Sequence, residues 1–144
     1  MPFDFSPRGL FAVRHLRFQR LWLAMGMLLV LGVVVGSVIS LPAPVQGFML
    51  GDKLLHTLVY ACLMSWFAQI YRHDLTRLVL VIGLIIMGIV IEFVQGATTY
   101  RQFELLDMVA NTSGVLLAWA LAYTWVGNVL AWVEQYFCKI VQKA

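Results

Sequence analysis

A chain of 144 residues that is 62% hydrophobic and 12% charged is not an ordinary soluble domain, which runs nearer half apolar and a quarter charged. Its net charge of +3 is modest, and no Gly-rich phosphate loop or nucleic-acid motif accompanies it. The basic residues are better explained by membrane topology and anionic lipid headgroups, so no nucleic-acid partner is expected. Four apolar stretches, about 21–41, 54–71, 78–95 and 105–126, approach or reach the roughly 20 residues that a bilayer-crossing helix needs. Each should be helical, because backbone polar groups cannot be left unpaired in lipid and too little chain remains for a closed barrel. The fold class is therefore all-α: an integral membrane bundle of four transmembrane helices with interfacial helices at both termini. It divides into a basic segment, 1–20, a membrane domain, 21–126, and an amphipathic tail, 127–144.

Taken in chain order, Ser6-Pro7 signals a helix start, and basic residues then alternate with Leu10, Phe11, Val13, Leu16 and Phe18. That pattern suits a basic amphipathic helix on the membrane surface. The first apolar run is about twice the length of a signal-peptide core, and Leu41-Pro42-Ala43-Pro44 is a poor cleavage site, so the segment is expected to be retained. It carries Gly32-x-x-x-Gly36-x-x-x-Ser40, a stripe that permits close helix contact within the bundle or, less directly, a homo-oligomer or an unidentified membrane partner. Thr57, Ala61 and Ser65 form a similar stripe in the second segment, as do Ala110, Gly114, Ala118 and Ala122 in the fourth. Gly127-Asn128 should end or bend the fourth helix. Beyond it, Val129, Val133, Tyr136, Phe137 and Ile140 share a face opposite Glu134, Gln135, Lys139, Gln142 and Lys143. This is either a second interfacial helix or a straight continuation of the fourth.

Arg8, Arg14, Arg17, Arg20, Arg72, Arg77, Lys139 and Lys143 fall on one side of the expected membrane, with only Lys53 and Arg101 on the other. The positive-inside rule then places both termini in the cytoplasm. Cys62 lies within a helix and Cys138 in the tail, so neither is expected to form a disulfide.

The chemistry is concentrated at one end of the apolar segments. Asp52, His56 and Tyr60 are four residues apart and climb one helical face, with Lys53 beside them. Asp52 can cap its helix, Lys53 can snorkel to headgroups, and His56 would lie roughly 6 Å deeper than Asp52. Glu92 and Gln95 close the third segment on the Gly88 face. In hydrocarbon Glu92 must be protonated or held ionised by Arg101, Lys53 or His56. Asp107 and Asn111 open the fourth segment above Gly114 and Ala118, while Glu104 is expected to be solvated at the interface. Arg101 lies in the preceding loop. His56 and Glu92 are the preferred acid–base pair, with Asp107 orienting cations or exchanging protons. Asp52, Lys53, Tyr60, Gln95, Arg101 and Asn111 are candidate ligand-binding residues. No nucleophile is identified, so catalysis is not assigned. One histidine among carboxylates is not a closed zinc pattern, and Lys53 and Arg101 oppose a cation, so no metal is expected. No other cofactor is expected either.

Asp-Lys-Leu-Leu-His-Thr-Leu-Val-Tyr-Ala-Cys-Leu at 52–63, Ile-Glu-Phe-Val-Gln at 91–95, Arg101, and Leu-Leu-Asp-Met-Val-Ala-Asn-Thr-Ser-Gly-Val-Leu-Leu-Ala at 105–118 arrive in one order. Together they resemble the VanZ-like membrane protein family over about the middle half of the chain. The resemblance implies importance for Asp52, Lys53, His56, Tyr60, Glu92, Gln95, Arg101, Asp107, Asn111 and Gly114. It also implies a bacterial inner (plasma) membrane location, a role in the cell envelope, and a link to teicoplanin susceptibility. The expected function is a polar outer-leaflet pocket that binds or modifies an anionic lipid or a lipid-linked envelope precursor. The alternatives are a non-catalytic structural or accessory subunit, or a lipid transporter. Transport is disfavoured by the scarcity of polar residues in the other halves of the helices.

Overall fold

The computed structural model describes residues 16–38, 49–98 and 103–141. Five α-helices follow in order: α1 (Gln19–Val38), α2 (Met49–Ile70), α3 (Asp74–Gly96), α4 (Leu105–Leu121) and α5 (Val129–Val141). A short 3-10 turn, Trp125–Asn128, separates the last two. The protein is all-helical among the described residues. Ser6-Pro7, most of the basic amphipathic segment, Ser40 and the Pro42–Pro44 loop lie outside them.

Two helices, α1 and α3, are long and apolar enough to cross a membrane, and α4 with the segment after it counts as a third when the bent pair is taken as one span. The sequence places the third span at 78–95, whereas α3 begins at Asp74. Its extra turn brings Arg77 inside the helix. Arg77 is buried, donating from Nε to Tyr71 O (3.0 Å) and from Nη2 to Ala68 O (2.8 Å). These are carbonyls at the end of α2, where the chain would otherwise leave acceptors unmatched. A residue expected only to mark topology thus caps a neighbouring helix.

The most extensive contact is between α2 and α4. Its cause is the small-residue seam read from the sequence. A Cβ added at Gly114 would collide with the Thr57 carbonyl and come within 3.1 Å of Ala61 N, so only glycine lets the two backbones meet. Tyr60, Leu63, Met64, Ala68, Val115 and Ala118 pack around this contact, and Val81 and Leu84 of α3 complete the core.

The stripe on α1 behaves differently. Neither Gly32 nor Gly36 has any heavy atom within 4 Å of where its Cβ would lie, so these glycines are not used for close packing among the described residues. The contact is made six residues before Gly32. Gly26 is the buried residue of α1, and its added Cβ would lie 2.9 Å from both Phe67 and Trp66. Trp22 and Trp66 meet edge to face there, with centroids 5.9 Å apart.

At the other end, α4 stops at Leu121 and the chain turns through 77° into the last helix. A straight continuation is therefore excluded. Thr124 Oγ1 accepts from Val126 N, Arg72 donates to Asn128 Oδ1 (2.8 Å), and Gln69 Oε1 accepts from Leu130 N (2.8 Å), so the turn is tied to the end of α2. Gly127 is required because a Cβ there would strike the Ala122 carbonyl. Glu134, expected on the solvated face of α5, is instead buried. Its carboxylate accepts from the N–H groups of Arg17 (2.8 Å) and Phe18 (2.9 Å) and from Trp22 Nε1 (2.6 Å). It therefore caps α1 from a helix more than a hundred residues away, opposite the positive end of the helix dipole. Trp132, Tyr136, Phe137 and Ile140 face outward, and Trp125 and Trp132 stack at 6.5 Å.

Gly114→Ala is expected to cost about 1–3 kcal/mol by forcing α2 and α4 apart. Gly36→Ala should be neutral or gain up to about 1 kcal/mol from helix propensity. Thermal unfolding of both variants in one detergent checks the contrast; equal melting temperatures would refute the α2–α4 seam.

Candidate functional site

The seam has a chemical consequence at one end of the bundle. α2 and α4 begin where α3 finishes, so the starts of two helices and the end of a third lie side by side. Their first turns carry Asp52 and Asp107, acidic groups favoured by the helix dipoles. Asp52 is not the expected N-cap, because α2 begins at Met49 and Asp52 stands one turn inside.

Lys53 organises the carboxylates. Its ammonium donates to both Glu104 and Asp107 and lies 3.7 Å from Asp52. The expectation of a lysine snorkelling to headgroups is not met, because two carboxylates of α4 and its entry capture the ammonium. Nor does Lys53 hold Glu92. His56 Nδ1 pairs with Asn111 Oδ1 at 3.1 Å, and Nε2 lies 3.6 Å from Asp107 and 4.0 Å from Asp52. Asn111 and Asp107 are buried, whereas the Asp52 side chain is 38% exposed.

Glu92 is almost completely buried, and its Oε1 accepts the backbone N–H of Glu104 at 2.6 Å. The carboxyl therefore fastens the end of α3 to the start of α4. Gly96 abets this, because Phe103 packs where a side chain would be. Gln95 is also buried and donates to Ser37 O at 2.8 Å, joining α3 to α1. Gly88 leaves room for Asn111 and Tyr60, each 3.3 Å from where its Cβ would fall.

Of the sequence-derived candidates, the structure gathers Asp52, Lys53, His56, Asp107 and Asn111 into one bonded network. Glu92, Gln95 and Tyr60 adjoin it on α3 and α2. Arg101 lies outside the described residues. The expected His56–Glu92 acid–base pair is not formed directly: His56 bonds to Asn111 and approaches Asp107, while Glu92 bonds to the Glu104 backbone. Glu104 is the residue whose part was missed. It is half exposed, as an interfacial residue should be, yet it supplies both a carboxylate for Lys53 and an N–H for Glu92. The available signal was its position three residues before Asp107, which puts both on one helical side.

Two buried polar atoms at this end have no hydrogen-bond partner among the described residues: Tyr60 Oη and Glu92 Oε2. Buried polar atoms are rarely left so, because an unmade hydrogen bond costs about 1–3 kcal/mol. The closest potential metal donors, on Asp52, His56 and Asp107, lie within 4.8 Å of one another. Lys53 already supplies positive charge to Asp107, so the donor set fits an ammonium better than a metal.

Comparison with known proteins gives one informative match. An uncharacterised protein of the fission yeast Schizosaccharomyces pombe is 34% identical over 94 residues, covering 63% of this chain and 55% of that protein. The chain thus spans about half the length of this relative. A eukaryotic relative overturns the bacterial inner-membrane location. The physical reason is plain: charge asymmetry orients helices relative to a cytoplasm, and it does not say which membrane they occupy. No family model and no solved structure matches the chain.

Lys53→Met is expected to cost about 3 kcal/mol by leaving buried Asp107 without its cation, and a second change, Asp107→Asn, should restore most of that loss. A double-mutant cycle on unfolding in detergent measures the coupling. Additive losses would show that the pair is not the centre of the network.

Proposed function

We propose that this chain is a membrane protein whose polar bundle end binds the headgroup of a lipid or lipid-linked precursor. The observation that carries the reading is the pair of buried, unpartnered atoms, Tyr60 Oη and Glu92 Oε2, beside an otherwise bonded network. A ligand supplying a donor and an acceptor would satisfy them. In this reading four segments cross the membrane. α2, at 22 residues, has the length for a span of about 33 Å, with its polar groups gathered in the first turns. The core is VanZ-like, on the motifs at 52–63, 91–95 and 105–118. Asp52, Lys53, His56, Tyr60, Glu92, Gln95, Asp107 and Asn111 form the site. Lys53 is engaged by Glu104 and Asp107, and Arg101 lies outside the described residues. The comparisons lend no support to a link with glycopeptide susceptibility.

If a reaction occurs, the imidazole of His56, held by Asn111 and flanked by Asp107 and Asp52, is the group placed to move a proton. A packing or accessory role is the second reading, favoured by the protein partners that Lys53, His56 and Gln95 already have.

Glu92→Gln keeps an acceptor for the Glu104 N–H and is therefore expected to fold. Under the binding reading it loses about fivefold or more of its bound lipid, the worth of one buried hydrogen bond. Native mass spectrometry of wild type and variant, with melting curves alongside, makes the test. A folded variant with undiminished lipid would favour packing.

A further inference from the structure

The glycines of α1 that touch nothing face a cleft. It encloses about 400 Å³ between α1 and α2, with Gly32 and Gly36 on one wall and Leu55 and Val59 on the other. The same cleft reaches Asp52, His56 and Tyr60 at its polar end. Tyr60 is 3% exposed and is one of the lining residues, and its hydroxyl has no hydrogen-bond partner among the described residues. An apolar trough that ends at Asp52, His56 and Tyr60 has the profile of an amphiphile's seat: hydrocarbon along the walls, polar groups at the end.

The charges select the head. Among the described residues, Asp52, Glu104 and Asp107 supply three carboxylates against the ammonium of Lys53, which two of them engage directly. Asp52 is the most accessible acid on the lining, and it repels an anion arriving through the cleft. Its carboxylate is suited to an amine or hydroxyl donor.

A second copy of the chain is a poorer occupant. A helix seated on the stripe would bring backbone whose N–H groups are already satisfied, leaving Tyr60 Oη unmatched. Lipid is present wherever α1 crosses a bilayer, and α1 is one of the two helices long and apolar enough to cross alone.

We propose that the α1–α2 cleft holds one hydrocarbon chain of a lipid whose head carries an N–H or O–H donor, bound at Asp52, His56 and Tyr60. This rests on the lipid-binding reading above and adds where the chain lies and which head is preferred.

The test uses the full chain in detergent, offered equal amounts of phosphatidylethanolamine, monoacylglycerol and phosphatidic acid, and read by native mass spectrometry. The first two present amine and hydroxyl donors, and their ratio identifies the source of the donor. Gly32→Leu and Gly36→Leu place side chains into the cleft, where among the described residues no atom lies within 4 Å of either added Cβ. Both should melt like wild type and lose at least tenfold of the bound donor lipid. Tyr60→Phe should weaken it about fivefold. Lipid retained by both leucine variants but lost from Glu92→Gln would overturn the cleft while leaving headgroup binding intact. Preference for phosphatidic acid would overturn the donor head. A wild type that holds no lipid fails the underlying reading, and a dimer broken by Gly32→Leu would assign the stripe to a second copy.

Discussion

The backbone contact between Gly114 and Thr57 is the constraint on which the rest depends. Where a lipid-facing helix pair has no hydrophobic drive to associate, close approach must be earned by packing alone. Bringing α4 against α2 at this point sets the separation of everything one and two turns above it. Lys53 then reaches Asp107, and His56 reaches Asn111. A larger residue at position 114 would widen the gap between oppositely charged groups whose desolvation is compensated only when they touch. Packing and electrostatics are therefore one arrangement, seen at two depths of the same helix pair.

The polar end was legible because charged residues in apolar segments are costly, and a pattern of four places Asp52, His56 and Tyr60 on one side without further information. The α2–α4 seam was legible for a similar reason, since Thr57, Ala61, Gly114 and Ala118 are small at helical spacing. What the residues did not disclose is which stripe meets which partner. Gly32 and Gly36 are as good a motif as Gly114, yet they stand open while Gly26 takes the contact. The difference lies in Phe67 and Trp66, whose reach decides where α1 docks. Arg77 and Glu134 were misjudged because the groups they bond, helix-end carbonyls and N–H groups, exist only once other helices have formed. Lys53 was misjudged because Glu104 precedes its helix and looked like a solvated residue.

The two ends of the bundle differ in how they meet their polar obligations. At the Arg77 end, helix-terminal carbonyls receive a guanidinium, and the Asn128 turn is bonded to Arg72. At the Lys53 end, side chains satisfy one another, but Tyr60 and Glu92 each retain an unmatched oxygen. The Arg77 end also leaves polar atoms unmatched among the described residues, the ring nitrogens His73 Nδ1 and Trp119 Nε1, so the two ends differ in the chemistry of what is unmatched, nitrogen at one and oxygen at the other.

The Glu134 cap places a condition on assembly as well as on stability. The N–H groups at the start of α1 emerge from the ribosome more than a hundred residues before the carboxylate that accepts from them. At roughly 5–20 residues per second, that interval is on the order of ten seconds. Over that time the first helix has neither its cap nor the Leu130–Ala131 surface against which Leu16 and Phe67 pack. The first of the described helices to be made is thus capped only when the last of them is complete enough to supply Glu134.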